Sequence, residues 1–498
     1  MKISKLARAG IALICLSALT MQMLSACSQG EEKSAVDGTA ATVGAEESGE
    51  ISSEKEFSIY DTLPAADFGG ETFVIYNPPN PDSPVDKGTT AEEMNGEVFN
   101  DTVFQRNKLI EEKFNVVIKT FSGKSWDSAY GDLRKVNSAG LTDYDVVYTH
   151  IISNISSFVS ENLVQDWQKV PHVDFSQPWW NKSTINSMII NGKSYYASGS
   201  MHIHDPLVLI DNKNLIRDLG LDNPYDLVKS GEWTIDKLAE MAKAASFDLN
   251  GDGKFDDDDR YGLEYGKSWQ IPSLFYASGM QPVIGVDTGA PKVNLNNTKV
   301  VEIYEKVYNL FYDGNQTLLF GGSTTQENNF PRLGIESGRV LFTQYNLFTC
   351  ENLRQTEIDY GILPMPKYNK EQAGYISNSW TGMMVVPSYI VDEARLSRIG
   401  IIMEAMAAEG YSKVLPVYYD VVLKEKYARD EDSRHMLDII MDSIVYDIGL
   451  SFNDAGGAGT FMSGLLNSKK QNFTSEIEKS EAKIQAALDK VFVRINEL

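Results

Sequence analysis

Apolar residues in this chain fall into short continuous runs, separated by stretches in which they recur every three or four positions. Thr72-Phe-Val-Ile-Tyr76, Val116-Val-Ile118 and Asp145-Val-Val-Tyr148 are runs of the buried-strand kind. Between them, Asn100 stands as the cap of a helix reaching about Lys113, with Val103, Phe104, Leu109 and Ile110 turned to a core. Thr234 caps another helix and sets Leu238, Met241, Ala242 and Ala245 on one face. The last helix opens with Ser475 and Glu478 in capping-box spacing and carries Ile477, Ile484, Leu488, Val491 and Ile495 inward. Strands separated by helices predict an α/β fold, a mostly parallel sheet with helices on both faces. No internal repeat of fixed period interrupts the pattern.

The N-terminus follows a different pattern. Lys2, Lys5 and Arg8 precede an apolar stretch, Ile11 to Leu19, and then Leu24-Ser25-Ala26-Cys27. The order is that of a secretory signal peptide over residues 1–26, with an apolar core too short to span a bilayer. The last four residues fit the lipobox of bacterial lipoproteins, in which small side chains admit the peptidase and the thiol of Cys27 takes a diacylglyceryl thioether. This places the protein outside the cytoplasm, lipid-anchored to the outer face of the cell membrane. Residues 27–56 are small and acidic with almost no large apolar groups, so they read as a disordered tether. Coil statistics give it a reach of about 30 Å.

Cysteine usage agrees with that reading. Cys15 leaves with the signal and Cys27 carries lipid, which leaves Cys350 without an intramolecular partner. An exported chain without disulfides depends on a large core. The formal charge of −24 becomes −27 when Lys2, Lys5 and Arg8 leave. Such a surface repels nucleic acid and anionic lipid headgroups.

Several stretches resemble the extracellular solute-binding proteins of ABC importers, the family that includes maltose-binding protein. They are Asn191-Gly-Lys-Ser-Tyr-Tyr196, Val208-Leu-Ile-Asp-Asn-Lys213, Leu219-Gly-Leu-Asp-Asn-Pro224, Glu232-Trp233-Thr234, Glu336-Ser-Gly-Arg-Val340 and Tyr360-Gly-Ile-Leu-Pro-Met-Pro-Lys367. Asn100-Asp-Thr-Val-Phe-Gln-Arg-Asn107 and the region from Tyr418-Tyr419 to Asp438 look like a clostridial branch of that family. The resemblance implies a periplasmic-binding-protein-like fold of two α/β lobes joined by a hinge, with a carbohydrate ligand in the cleft and permease subunits as partners. By placement, the first lobe takes residues 57–165 and 340–392, and the second takes 166–339 and 393–498.

Sugar binding needs flat aromatic faces and a few fixed donors and acceptors. Trp269, before Ile271-Pro272, stands where the resemblance implies a stacking aromatic; Tyr345 and Phe348 follow Val340-Leu-Phe342, and Trp380 precedes Met383-Met-Val-Val386. Trp179-Trp180 reads as structural. His150 ends a strand, and His202 and His204 precede Asp205. Residues two apart in an extended strand point the same way, so the last two imidazoles could converge on one ligand. The set suits hydroxyl recognition; it also suits zinc or a merely satisfied crossing segment.

One acidic loop has sharper spacing. Asp248, Asn250, Asp252, the carbonyl of Lys254 and Asp259 fall at ligand positions of an EF-hand loop, with Gly253 at its turn. The loop predicts a structural Ca²⁺, with Asp259 in place of the long bidentate Glu. Nothing resembles a catalytic set: there is no G-x-S-x-G, no P-loop and no H-E-x-x-H. The protein is therefore expected to bind without chemistry. A peptide or other small nutrient is the competing ligand, and a secreted glycan hydrolase, which needs a placed carboxylate pair, is the competing class.

Overall fold

The computed structural model describes residues 58–79, 88–321, 331–348, 350, 353, 356–380, 382–420, 423 and 430–498, all within the unit Phe57–Leu498. Residues 1–57, with Cys27 and the expected signal peptide and tether, lie outside the described residues.

The first apolar runs become three strands: β1 (Glu71–Asn77), β2 (Val116–Ser122) and β3 (Val146–His150). β1 pairs in parallel with both of the others, from Glu71 against Val116 to Asn77 against Ser122 on one side, and from Ile75 against Val146 on the other. The period of two decides what each face buries. Phe73, Ile75, Val146 and Tyr148 enter one apolar cluster, while Tyr76 and Val147 enter another.

The helix α1 (Val98–Phe114) covers the first of these faces with Ile110 and Phe114. It begins earlier than expected: the Glu97 side chain, rather than Asn100, caps it by accepting from the Asn100 N–H at 2.8 Å. α2 (Ala129–Ser138) covers the opposite face with Ala129, Leu133 and Val136.

A second sheet is built from β4 (Leu207–Asn212), β5 (Tyr261–Gly266), β6 (Thr317–Phe320), β7 (Val340–Asn346) and β8 (Tyr360–Leu363). Their spatial order is β6-β5-β7-β4-β8, and only β4 runs against the others. The expected assignment of 340–363 to the first lobe is corrected here. β7 and β8 hydrogen-bond to β4 and β5 in the second sheet, and from that stretch onward only β9 (Gly382–Val385) returns to the first, antiparallel to β3. A run of strand residues does not state which open edge it will pair with; the register of backbone donors does.

α3 (Ile235–Ala245) follows its pattern: Thr234 accepts from the Lys237 N–H at 3.3 Å, and Leu238, Met241, Ala242 and Ala245 are buried. Each such Leu or Met contributes about 1.5–3 kcal/mol on burial. α4 (Glu393–Glu409) is buried continuously from Arg398 to Glu409, as a helix packed on all sides must be. Its Glu404 receives both indole N–H groups of Trp179 and Trp180, each at 2.8 Å, so that pair is structural as expected. In the last helix, α5 (Phe473–Ile495), Asn472 caps the Ser475 N–H at 3.2 Å, so the helix starts before the expected capping box.

Candidate functional site

Parallel strands end together, and ligands in open α/β sheets sit outside their carboxyl ends. β3 ends at His150, β2 ends shortly before Trp126, and β5 ends three residues before Trp269. Trp380 lies two residues before β9, the strand that pairs with β3. These four rings form a continuous row. Trp126 stands edge-to-face with His150 at 4.7 Å between centroids, His150 lies nearly parallel to Trp380 at 6.2 Å, and Trp380 meets Trp269 edge-on at 6.0 Å. The last contact bridges the two sheets. Trp380 Nε1 is buried without a hydrogen-bond partner among the described residues.

A second polar group lies on the segment before β4. His202 and His204 are neighbours at 5.1 Å, on a segment that is irregular and not the extended strand expected. His202 Nε2 lies 3.1 Å from Ser198 Oγ while its Nδ1 has no partner among the described residues, and His204 Nδ1 lies 3.1 Å from the Tyr446 hydroxyl. Burial pushes His150 and His204 down to about 4, and pushes His202 well below the usual range, helped by His204. All three imidazoles are neutral at physiological pH. A neutral imidazole holds one donor and one acceptor, which suits hydroxyls better than anions, and one nitrogen of each ring is already engaged, with Ile152, Ser198 and Tyr446.

Other expected site residues are used differently. Asp205 accepts from the Phe348 N–H at 2.8 Å and from the Asn346 amide, and its own N–H donates to Ser379 Oγ at 3.0 Å. Its carboxylate thus ties the crossing segment to the end of β7. Tyr345 lies within an apolar cluster with Phe99, Val103 and Leu437, only 6% exposed, so the strand's alternation turns it away from the row. Phe348, half-buried, contributes its backbone to Asp205.

Sequence reasoning missed Trp126 and Tyr446. Trp126 carried a usable signal, a lone aromatic in the polar loop Gly123-Lys-Ser-Trp126-Asp-Ser128 directly after a strand. Tyr446 carried none, because it reaches His204 from 242 residues away in the chain.

The acidic loop has the expected backbone. Gly251 and Gly253 adopt φ of 73° and 79°, a region that favours glycine. Asp248 accepts from the Gly251 and Gly253 N–H groups at 2.7 and 2.8 Å, Asn250 from Asp252 at 2.9 Å, and Asp252 from Lys254 at 2.8 Å. Buried Asp259 accepts from Leu249 and Asp256, both at 2.9 Å. Among the described residues no three His, Cys, Asp or Glu side chains converge as metal ligands, either here or around His202. The loop closes on its own donors, and its carboxylates keep spare lone pairs.

A separate hollow of about 480 Å³ lies at the far end of β4, lined by Asp211, Lys213, Tyr225, Asp430 and neighbours. It is internally paired: Lys213 bonds Asp430 and lies 4.9 Å over the Tyr225 ring.

By sequence the chain matches no family profile and no curated protein. By shape it resembles solved binding proteins, ABC substrate-binding proteins among them. One is the cyclic α-maltosyl-1,6-maltose binding protein of Arthrobacter globiformis, with TM-score 0.57, 12% identity, and 85% of this chain aligned to all of that one. Another is the GacH receptor of Streptomyces glaucescens, solved unliganded and with acarbose, with TM-score 0.51, 15% identity, and 86% of this chain and 98% of that one aligned. A substrate-binding protein of Listeria monocytogenes, solved with cycloalternan, gives TM-score 0.50 at 12% identity over 86% of this chain and 98% of that one. The fold is therefore the two-lobed α/β fold of ABC-transporter solute-binding proteins.

Proposed function

We propose that this chain captures an oligosaccharide between the halves built on its two sheets and hands it to the permease of an ABC importer. The observation that carries this reading is the ring row from Trp126 to Trp269, which crosses from one sheet to the other and includes the neutral imidazole of His150. Flat apolar faces beside neutral donors and acceptors match the two chemistries of a pyranose. The hollow beside His150 is about 20 Å³, room for about one water. A sugar ring enters only when the Trp269–Trp380 contact parts, and the halves then close on it as a hinge. Binding involves no bond-making. In the same reading Cys27 holds the chain to the membrane by lipid, and the loop from Asp248 to Asp259 takes a structural Ca²⁺.

Calorimetry of the mature chain against a panel of neutral oligosaccharides, charged sugars and short peptides tests the ligand class. Saturable binding of a neutral oligosaccharide is expected. Binding of peptides alone would replace the carbohydrate reading with a peptide one.

A further inference from the structure

Along the ring row, exposure rises towards one end. Trp269, Trp380 and His150 are half-buried, whereas Trp126 is 41% exposed. A single exposed indole is ordinary on a protein surface; this one is held in place. Gly123 opens its loop where any Cβ would run into the Tyr76 hydroxyl and Ser128 Oγ. Ser128 Oγ sits 2.7 Å from Tyr76 Oη, which donates to Asp132 at 2.8 Å, and Ser153 Oγ donates to the Asp127 carbonyl at 3.1 Å. These bonds fix the loop from β1, from α2 and from the segment after β3. They present the indole against His150, where it lines the same hollow as Asn77 and Gly382. The fold thus orders a large apolar side chain without burying it, leaving its remaining surface for something else to cover.

We propose that Trp126 is the outermost stacking residue of the cleft and sets its preference for longer over shorter glycans. The proposal rests on the carbohydrate reading above. A short ligand seated at the Trp269 end of the row stops short of Trp126, which lies three ring-to-ring steps away, whereas a longer one lays its end unit on the indole. Ring-to-ring steps along the row are comparable to the length of one pyranose.

The test measures affinity of wild type, Trp126→Ala and Trp126→Phe for maltooligosaccharides, cellooligosaccharides and xylooligosaccharides, each from dimer to pentamer. In the series that binds, Trp126→Ala should lose about tenfold on the pentamer and little on the dimer, as the loss of one aromatic face implies. Trp126→Phe should recover most of that loss, and melting temperatures should match wild type. A loss equal at all lengths, or none at any length, overturns the role of Trp126 while leaving the carbohydrate reading intact. Wild type that binds none of the three series overturns the carbohydrate reading and this proposal with it.

Discussion

Trp269 is half-buried, and its only ring contact among the described residues is the edge of Trp380 across the gap between sheets. Removing it should cost binding more than folding. Trp269→Ala is expected to weaken oligosaccharide binding by about ten- to a hundredfold, from an aromatic contribution of about 1–3 kcal/mol. Urea unfolding of the same variant should shift little; a core residue would instead lose several kcal/mol. Asp211, at the far end of β4, gives a different prediction. The residue is 1% exposed, its Oδ1 has no partner among the described residues, and burial pushes its pKa from 3.8 up to about 7. The folded state therefore favours the protonated form. That contribution is complete below about pH 4 and is lost as pH rises through about 7. Asp211→Asn should flatten this decline relative to wild type, read from urea midpoints across the range. Parallel pH profiles for the two proteins would show that Asp211 does not titrate as described.

At the scale of elements, helices were more legible than strand partners. The face of α3 and its Thr234 cap stood in the sequence because both are set within a few residues of each other. Helix starts were less legible, since Glu97 and Asn472 do the capping where Asn100 and Ser475 had equal claim by composition. The loop from Asp248 to Asp259 is the element with its own ligand prediction. If Ca²⁺ occupies it, chelation should lower the melting temperature, and Asp252→Ala should remove that sensitivity. Identical melting with chelator and with millimolar calcium would rule the ion out, leaving a turn closed by its own side chains.

For the whole molecule, attachment and capture are separate properties. No helix among the described residues is long and apolar enough to cross a membrane. If Cys27 carries the anchor, Cys27→Ala should move the protein from the membrane fraction to the soluble fraction while ligand affinity stays the same. A variant that still pellets with membranes would require another attachment.

The amino-acid pattern by itself determined the strand runs, the principal helix faces and the α/β class, because these depend on periodicities of two and 3.6 that are local to each element. It also marked Trp269, Trp380 and the His202–His204 pair as candidates. Only the tertiary structure decided that β7 and β8 join the second sheet, that Tyr345 serves the core and that Asp205 ties down the end of β7. It alone brought Trp126 into one row with His150 and the two candidate tryptophans, and Tyr446 against His204. Those outcomes rest on pairings between residues scores to hundreds of positions apart, and such pairings are selected by burial and hydrogen-bond satisfaction over the whole chain, which no local window contains.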